Sequence, residues 1–496
     1  MNLKMEEASW SVDLPAPKQH SKWEAFVVIA PAIFMANLDT SIVNVSLPAI
    51  AKTYNTSLGG PIEWVVIAYL TIIASLLLPA GWLSDRMGRK RLWITGLTVF
   101  TFGSISCGFA PTLLVLIVAR GLQGAGAAFI FSIAPAILSD AFPAHERGKA
   151  AGVNAVTVAL GSSTGPLLGG LLTQFLNWRW IFLINLPLVC MAVLLAYRLQ
   201  GTAKTTKPQK SDQGGALLLA VMLGTLVVGL SFGESWGWLS PRLIAALTMS
   251  LGALIGLVLV ERRVAAPILD ASLFRQRAFF ASILSLLLFH LAVFSVNVLL
   301  PFYLENLRSF PPGQVGLLLI PVPLTLAVVA PLTGRFSDRF GSASLTAGGL
   351  GIVFLGMLFL SQLDAHSSLW DIEWRLLLMG IGQAAFISPN NGAILKSSPR
   401  TKYGIAGGML AASRVVGQSM SVSLASAVFA GFGGMAASRH LQTSGLPADT
   451  IQQAQQVFLR GLHVAFIVSA VIAVLGVIVT LGRGREEQTI HMLHDE

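Results

Sequence analysis

The sequence predicts an all-α polytopic membrane protein: two six-helix bundles with two further transmembrane helices between them. Three observations predict it: a composition unlike that of soluble domains, apolar runs recurring along the whole chain, and an internal repeat. Of 496 residues, 54% are hydrophobic and only 11% charged, with a mean hydropathy of +0.72. Soluble domains carry about 25% charged residues. Fourteen apolar runs fall at 23–47, 62–82, 92–109, 112–138, 149–173, 179–197, 214–233, 242–260, 278–304, 314–333, 343–361, 373–394, 403–432 and 460–481. Each is long enough for a hydrocarbon core of roughly 30 Å. Backbone polar groups cannot go unpaired in lipid, so the runs are helices. The ten-residue alternating segments of a membrane barrel are absent.

Orientation follows from Lys and Arg. With the N-terminus cytoplasmic, the inner segments hold 24 of the 33 basic residues, and the outer loops three: Lys52, Arg308 and Arg439. This asymmetry places both termini in the cytoplasm and the chain in a cell inner membrane. The net charge of +10 is therefore an orientation signal, not a nucleic-acid footprint. The first 22 residues are polar and precede a long first helix, which reads as no cleavable signal peptide. Cys107 and Cys190 both lie in apolar runs and read as buried thiols, neither bridged nor metal-bound.

The repeat shows in "GWLSDRMGRKR" (81–91) and "GRFSDRFGS" (334–342). Gly81, Ser84, Asp85, Arg86 and Gly88 align with Gly334, Ser337, Asp338, Arg339 and Gly341 at a constant offset of 253. The chain divides into an N-terminal bundle, 1–197, a linker with the two extra helices, 198–276, and a C-terminal bundle, 277–496. Parallel repeats of this kind belong to transporters that rock around a site near the membrane midplane. No GxxxxGK[ST] phosphate cradle occurs, and "HERGK" (145–149) lacks the second His of a zinc helix. No cofactor is expected, so an ion gradient must supply the energy.

Asp39 interrupts a run with no other charge between Glu24 and Lys52, nine residues before Pro48; Arg120 lies nine residues after Pro111. Both then sit about 13 Å below the outer surface on antiparallel helices. Charges at that depth pair or face a cavity. The pair is either a static packing element or a carboxylate whose protonation can be switched. Gln123, one turn from Arg120, is placed to orient it. Asn37, Ser41 and Asn44 share one helix face that lines a substrate path or bonds neighbouring helices. "MGIGQAAF" (379–386) puts Met379 opposite Arg120 in the repeat, so the charge chemistry belongs to the first half. Asn154, His290, Asn297, Gln383, Asn390, Asn391, Arg414 and Gln418 are candidates for cavity lining, with interhelical bonding as the alternative for each polar group. Glu305 at the mouth of the ninth helix is a possible second proton site or an interfacial acid.

"GSSTGPLLGG" (161–170) spaces Gly161, Gly165 and Gly169 by four, with Pro166 between and Gly170 following. The glycines allow close helix approach; the proline removes a backbone bond and bends the helix. Asp85 and Arg86 stand at an inner helix end, where Asp85 pairs with Arg147 or caps a neighbour. Their duplication at Asp338 and Arg339 suggests a latch that breaks as the halves rock. The outer stretch 433–458, with "ADTIQQAQQVF" as an amphipathic helix, can dock a periplasmic adaptor.

Four stretches together resemble the fourteen-helix drug:proton antiporters of the major facilitator superfamily: "LDTSIVNVSLP", "GWLSDRMGRKR", "LIVARGLQGAG" and "GSSTGPLLGG". The resemblance implies a major facilitator fold, working as a monomer, and export of hydrophobic or amphipathic small molecules driven by proton entry. It implies Asp39 as the protonation site, Arg120 as its partner, and Asp85 as a stabiliser of the outward-facing state. The second loop copy departs from the pattern, ending "FGSAS" in place of a basic cluster. The alternatives on this scaffold are a proton symporter for uptake and an exporter of one metabolite or lysolipid. A membrane enzyme lacks any nucleophile–base or metal constellation, and a sensor has no use for the repeat.

Overall fold

A computed structural model describes residues 22–56, 61–142, 147–196, 213–237, 240–261, 264, 271–398, 403–442 and 447–483. Among them no strand occurs; they are helical apart from short connecting turns. The first part comprises α1 (Lys22–Thr53), α2 (Trp64–Met87), α3 (Arg89–Gly108), α4 (Leu113–Ala141), α5 (Arg147–Phe175), α6 (Trp180–Leu183) and α7 (Asn185–Ala196). Next come α8 (Gln213–Trp236), α9 (Pro241–Glu261) and the short α10 (Ala271–Arg275). The last part comprises α11 (Arg277–Phe302), α12 (Pro312–Leu318), α13 (Pro321–Phe340), α14 (Ser342–Leu360), α15 (Leu369–Lys396), α16 (Tyr403–Gly431), α17 (Gly434–Gln442) and α18 (Ala448–Leu481).

Each of the fourteen apolar runs falls on a helix or a consecutive helix pair. By length and hydropathy, seven of the described helices are long and apolar enough to cross a membrane, or eight with the bent pair Ala406–Gly431 and Gly434–Leu441. The others include helices such as α5, whose Gly-Ser-Ser-Thr-Gly stretch dilutes its apolar residues. Two expected single helices are broken. Pro187 has no N–H for the Leu183 carbonyl, and α6 gives way to α7 at Ile184. Pro321 and Pro323 likewise separate α12 from α13.

The packing order repeats. In the first part α1 packs on α5, α3 on α4 and α2 on α4; in the second α11 packs on α16, α14 on α15 and α13 on α15. The agreement reaches single glycines. A Cβ on Gly81 would lie 2.8 Å from Ser132 Oγ, and one on Gly334 2.8 Å from Ser388 Oγ. Gly88 and Gly341 both turn the chain at positive φ, +93° and +82°, between consecutive helices. L-residues with a side chain rarely adopt such a conformation. The pair α8 and α9 pack on each other, and α8 lies against α2 and α16.

Three expectations need correction here. "ADTIQQAQQVF" is not a separate amphipathic helix: it is the first part of the unbroken α18, because no breaker separates it from the apolar run that follows. Cys190 is exposed, on the side of α7 facing away from the core, while Cys107 is buried. Met379 does not stand opposite Arg120. Gly103 packs on the Gln123 backbone and Gly356 on Met379, so Met379 matches Gln123 and Leu376 takes the place of Arg120.

Candidate functional site

The depth match between Asp39 and Arg120 is realised as contact. Arg120 donates from Nη1 to Asp39 Oδ2 at 2.6 Å, with both side chains excluded from solvent. Asp39 Oδ1 accepts from Gln123 Nε2 at 2.8 Å and from Asn185 Nδ2 at 3.0 Å. Gln123 Nε2 and Asn185 Nδ2 also donate to Ser104 Oγ, at 2.6 and 3.2 Å. Five residues on α1, α3, α4 and α7 thus close one network around a carboxylate. Such a network outweighs its separate bonds in a low-dielectric interior.

Arg120 is held independently of the acid. Its Nε donates to the Val65 carbonyl at 2.9 Å and its Nη1 to Gln123 Oε1 at 2.6 Å. The guanidinium carbon lies 4.0 Å from the Tyr69 ring centroid, a cation–π contact. Tyr69 in turn donates its hydroxyl to the Ala36 carbonyl on α1 at 3.3 Å. The i, i+3 spacing of Arg120 and Gln123 puts both on one face of α4. Gly103 lets that face approach α3: a Cβ there would lie 2.6 Å from the Gln123 backbone.

Asn185 was not expected. Its only signal is position, a polar residue two places before Pro187 in an apolar run. The α6–α7 break turns it inward, which no periodic reading shows. Replacing Asn185 with leucine is expected to lower stability by about 1–3 kcal/mol, since donors to a buried carboxylate and to Ser104 vanish together. Thermal unfolding of the purified protein measures this.

Other candidates separate into bonded and unbonded groups. Gln123 belongs to the buried network and not to a substrate cavity. Asn390 is fully buried: its Nδ2 donates to the Ser282 carbonyl at 3.0 Å and ties α15 to α11, while its Oδ1 has no hydrogen bond among the described residues. Asn37 and Asn44 are buried and bond back to carbonyls of their own helix, and Ser41 does the same. Asn37 and Ser41 lie under the α5 glycines, so their stripe forms a helix seam. His290 Nδ1 donates to the Leu286 carbonyl at 2.9 Å. Asn154 Oδ1, Asn391 Oδ1 and Glu305 Oε1 are buried without a hydrogen bond among the described residues. Asn297 is exposed between buried Val296 and Val298. Gln383, Arg414 and Gln418 are half-buried. The latch residues Asp85, Arg86, Arg147, Asp338 and Arg339 lie outside the described side chains. No group of three metal-ligating side chains occurs among the described residues.

The glycine motif joins two parts of the chain. Gly161 and Gly169 press on the Phe34 and Ile42 carbonyls of α1, and Gly165 lies against Ser41. On the same helix, Gly170 meets the Pro312 carbonyl of α12, and the Pro166 carbonyl meets Gly316. Gly313 N donates to Gln174 Oε1 at 2.9 Å. Helix α5 runs through Pro166 as one element, and its glycines bring backbones together.

Helices duplicated in this order, around a buried charge network, define a multi-pass membrane transporter. The sequence profile of the Major Facilitator Superfamily matches residues 29–422, and the chain belongs to that family. It is similar to the multidrug resistance protein Stp of Mycobacterium tuberculosis, 33% identical over 83% of this chain and 76% of that one. The riboflavin transporter RibZ of Clostridioides difficile is 32% identical over 83% of this chain and 88% of its own length. The methylenomycin A resistance protein of Streptomyces coelicolor is 31% identical over 80% of this chain and 83% of its own. Among solved structures, a bacterial homologue of the human lysosomal transporter Spinster superposes with TM-score 0.65 at 16% identity, covering 94% of this chain and 98% of that one. That likeness concerns the fold.

Proposed function

We propose that the protein is a proton-coupled antiporter of the inner membrane, with both termini cytoplasmic, that exports hydrophobic or amphipathic small molecules. The observation that carries the reading is the Asp39 network. A carboxylate with three donors from three side chains, two of them on α4 and one on α7, ties α1 to its neighbours most strongly while it is charged. Protonation removes the ion pair and half of the acceptor capacity, and Arg120 keeps Val65, Gln123 and Tyr69 as partners. Neutralising Asp39 therefore loosens α1 and leaves Arg120 with its hydrogen bonds but with its buried charge uncompensated. Since α1 also bears on α5, the change reaches the seam with α12. Coupling requires only that proton and substrate each prefer one protonation state.

With this orientation the α5–α12 contacts close the outer side, and substrate enters from the cytoplasm. The multidrug resistance relative supports a broad range of exported compounds, and the methylenomycin A resistance protein supports drugs among them. The riboflavin transporter supports a second reading, movement of a single metabolite on the same machinery. A periplasmic adaptor would meet the outer stretch 433–458, which holds α17 and the start of α18, and the protein would act as a monomer.

Proton release is the direct test. Adding a transported compound to purified protein in weakly buffered solution should release protons, and Asp39→Asn should abolish the release. Equal release from both proteins would remove Asp39 from the mechanism.

A further inference from the structure

The repeat carries its scaffold twice but its charges once. A Cβ on Gly161 would meet the Phe34 carbonyl and Asn37 Cβ; one on Gly417 would meet the Leu287 carbonyl and His290 Cβ. Registering these two contacts puts Ala292 in the place of Asp39 and Val158 in the place of Arg414. Each half therefore bears a charge the other lacks. In the first half the charges cancel, arginine against aspartate. In the second, Arg414 has no counterion among the described residues.

Arg414 lies between the halves. Its guanidinium carbon is 5.6 Å from the ring centroid of Phe131, which α4 supplies from the other side. Its Nε is buried with no hydrogen-bond partner. Gln418, one turn further on the same face, makes no hydrogen bond among the described residues either. Close by, Thr71 of α2 and Ser419 of α16 come within 3.5 Å, so the halves touch at this level. An arginine stays charged in proteins and presents a planar fork of donors matched to a carboxylate. A lone cation roughly 16 Å up a helix in an apolar span is a functional group unless it faces lipid, and the Phe131 contact faces it inward.

We infer that Arg414 is the ligand-recognition donor of the transport path, and that the path takes molecules presenting a carboxylate or another oxyanion and disfavours organic cations. This rests on the transport reading above but not on its proton coupling. The fork supplies two parallel charge-assisted hydrogen bonds, Phe131 a flat apolar surface beside them, and Gln418 a further donor and acceptor. A cation at the same place meets like charge, with no acid free to offset it beside Arg414 among the described residues, since Asp39 is fully occupied.

Two probes sharing a xanthene ring system test this: fluorescein, which carries a carboxylate, and rhodamine 123, a cation. Titration by fluorescence anisotropy uses the purified full-length protein in detergent, with no gradient. Wild type is expected to bind fluorescein at least about tenfold more tightly than rhodamine 123. Arg414→Gln should weaken fluorescein about tenfold or more and leave rhodamine 123 unchanged or tighter. Arg414→Lys, which keeps the charge and loses the fork, should fall between. Absence of fluorescein binding to wild type, equal affinity for both probes, or fluorescein binding unaltered in a folded Arg414→Gln protein would each overturn the inference. Should Arg414→Gln not fold, the wild-type probe pair and Arg414→Lys decide it. Loss of gradient-driven transport with this binding pattern intact would instead count against proton coupling alone.

Discussion

Replacing Asp39 by asparagine is expected to abolish accumulation driven by a pH gradient in vesicles, while exchange of substrate down its own gradient persists. The substitution is nearly isosteric but leaves one acceptor oxygen where the carboxylate has two. Three donors, from Arg120, Gln123 and Asn185, then compete for it. One is stranded, at a cost of about 1–3 kcal/mol. The arginine is not the one left bare, because the Val65 carbonyl, Gln123 Oε1 and the Tyr69 ring still hold it. The protein therefore folds, but no group remains at this site to gain and lose a proton. Gradient-driven accumulation as large as that of wild type would refute the mechanism. Arg120→Leu would differ in kind: the acid would lose its ion-pair partner, and α2 and α4 the three contacts the arginine makes with Val65, Tyr69 and Gln123.

The second large effect belongs to the α5–α12 seam. Gly316→Val should lower the transport rate by more than tenfold while substrate-induced proton release survives. A Cβ at Gly316 would fall inside the Pro166 carbonyl, backbone against backbone, with no flexible side chain to yield. Overpacking of this kind costs about 1–3 kcal/mol or more, and here only the state with the seam closed bears the cost. A penalty of 1.4 kcal/mol shifts a two-state equilibrium about tenfold. The protein would then rest with α5 and α12 apart. Leu171→Cys, half-buried and facing Gly313, reports this through faster labelling by a membrane-impermeant maleimide applied from outside. Undiminished transport with unchanged labelling would show that the seam does not gate.

Position in the chain revealed some parts of the site and hid others. Asp39 and Arg120 were legible because a charge among apolar residues stands out, and because depth along a helix follows from a fixed rise per residue. Gln123 was legible by its spacing from Arg120, though not its full burial. Asn185 and Ser104 were not legible, since one small polar residue in an apolar run carries no mark of its direction. Only the break at Ile184 and the close approach at Gly103 aim them at the acid. The Asn37, Ser41 and Asn44 face could be read from its spacing but not assigned, and the α5 glycines settle where it packs. The alignment of Met379 with Arg120 failed because motif similarity tolerates a three-residue slip, whereas glycine contacts between neighbouring helices do not.

By itself the sequence determined that this is a helical membrane chain built on a repeat, with a lone acid and two deep arginines. Hydropathy and charge are sums over residues and need no knowledge of neighbours. The tertiary structure alone decided which arginine the acid takes, that Asn185 completes its shell, and that Arg414 has no ion pair among the described residues. Partnership is a matter of distances between helices, set by where glycines let backbones touch and prolines let them turn.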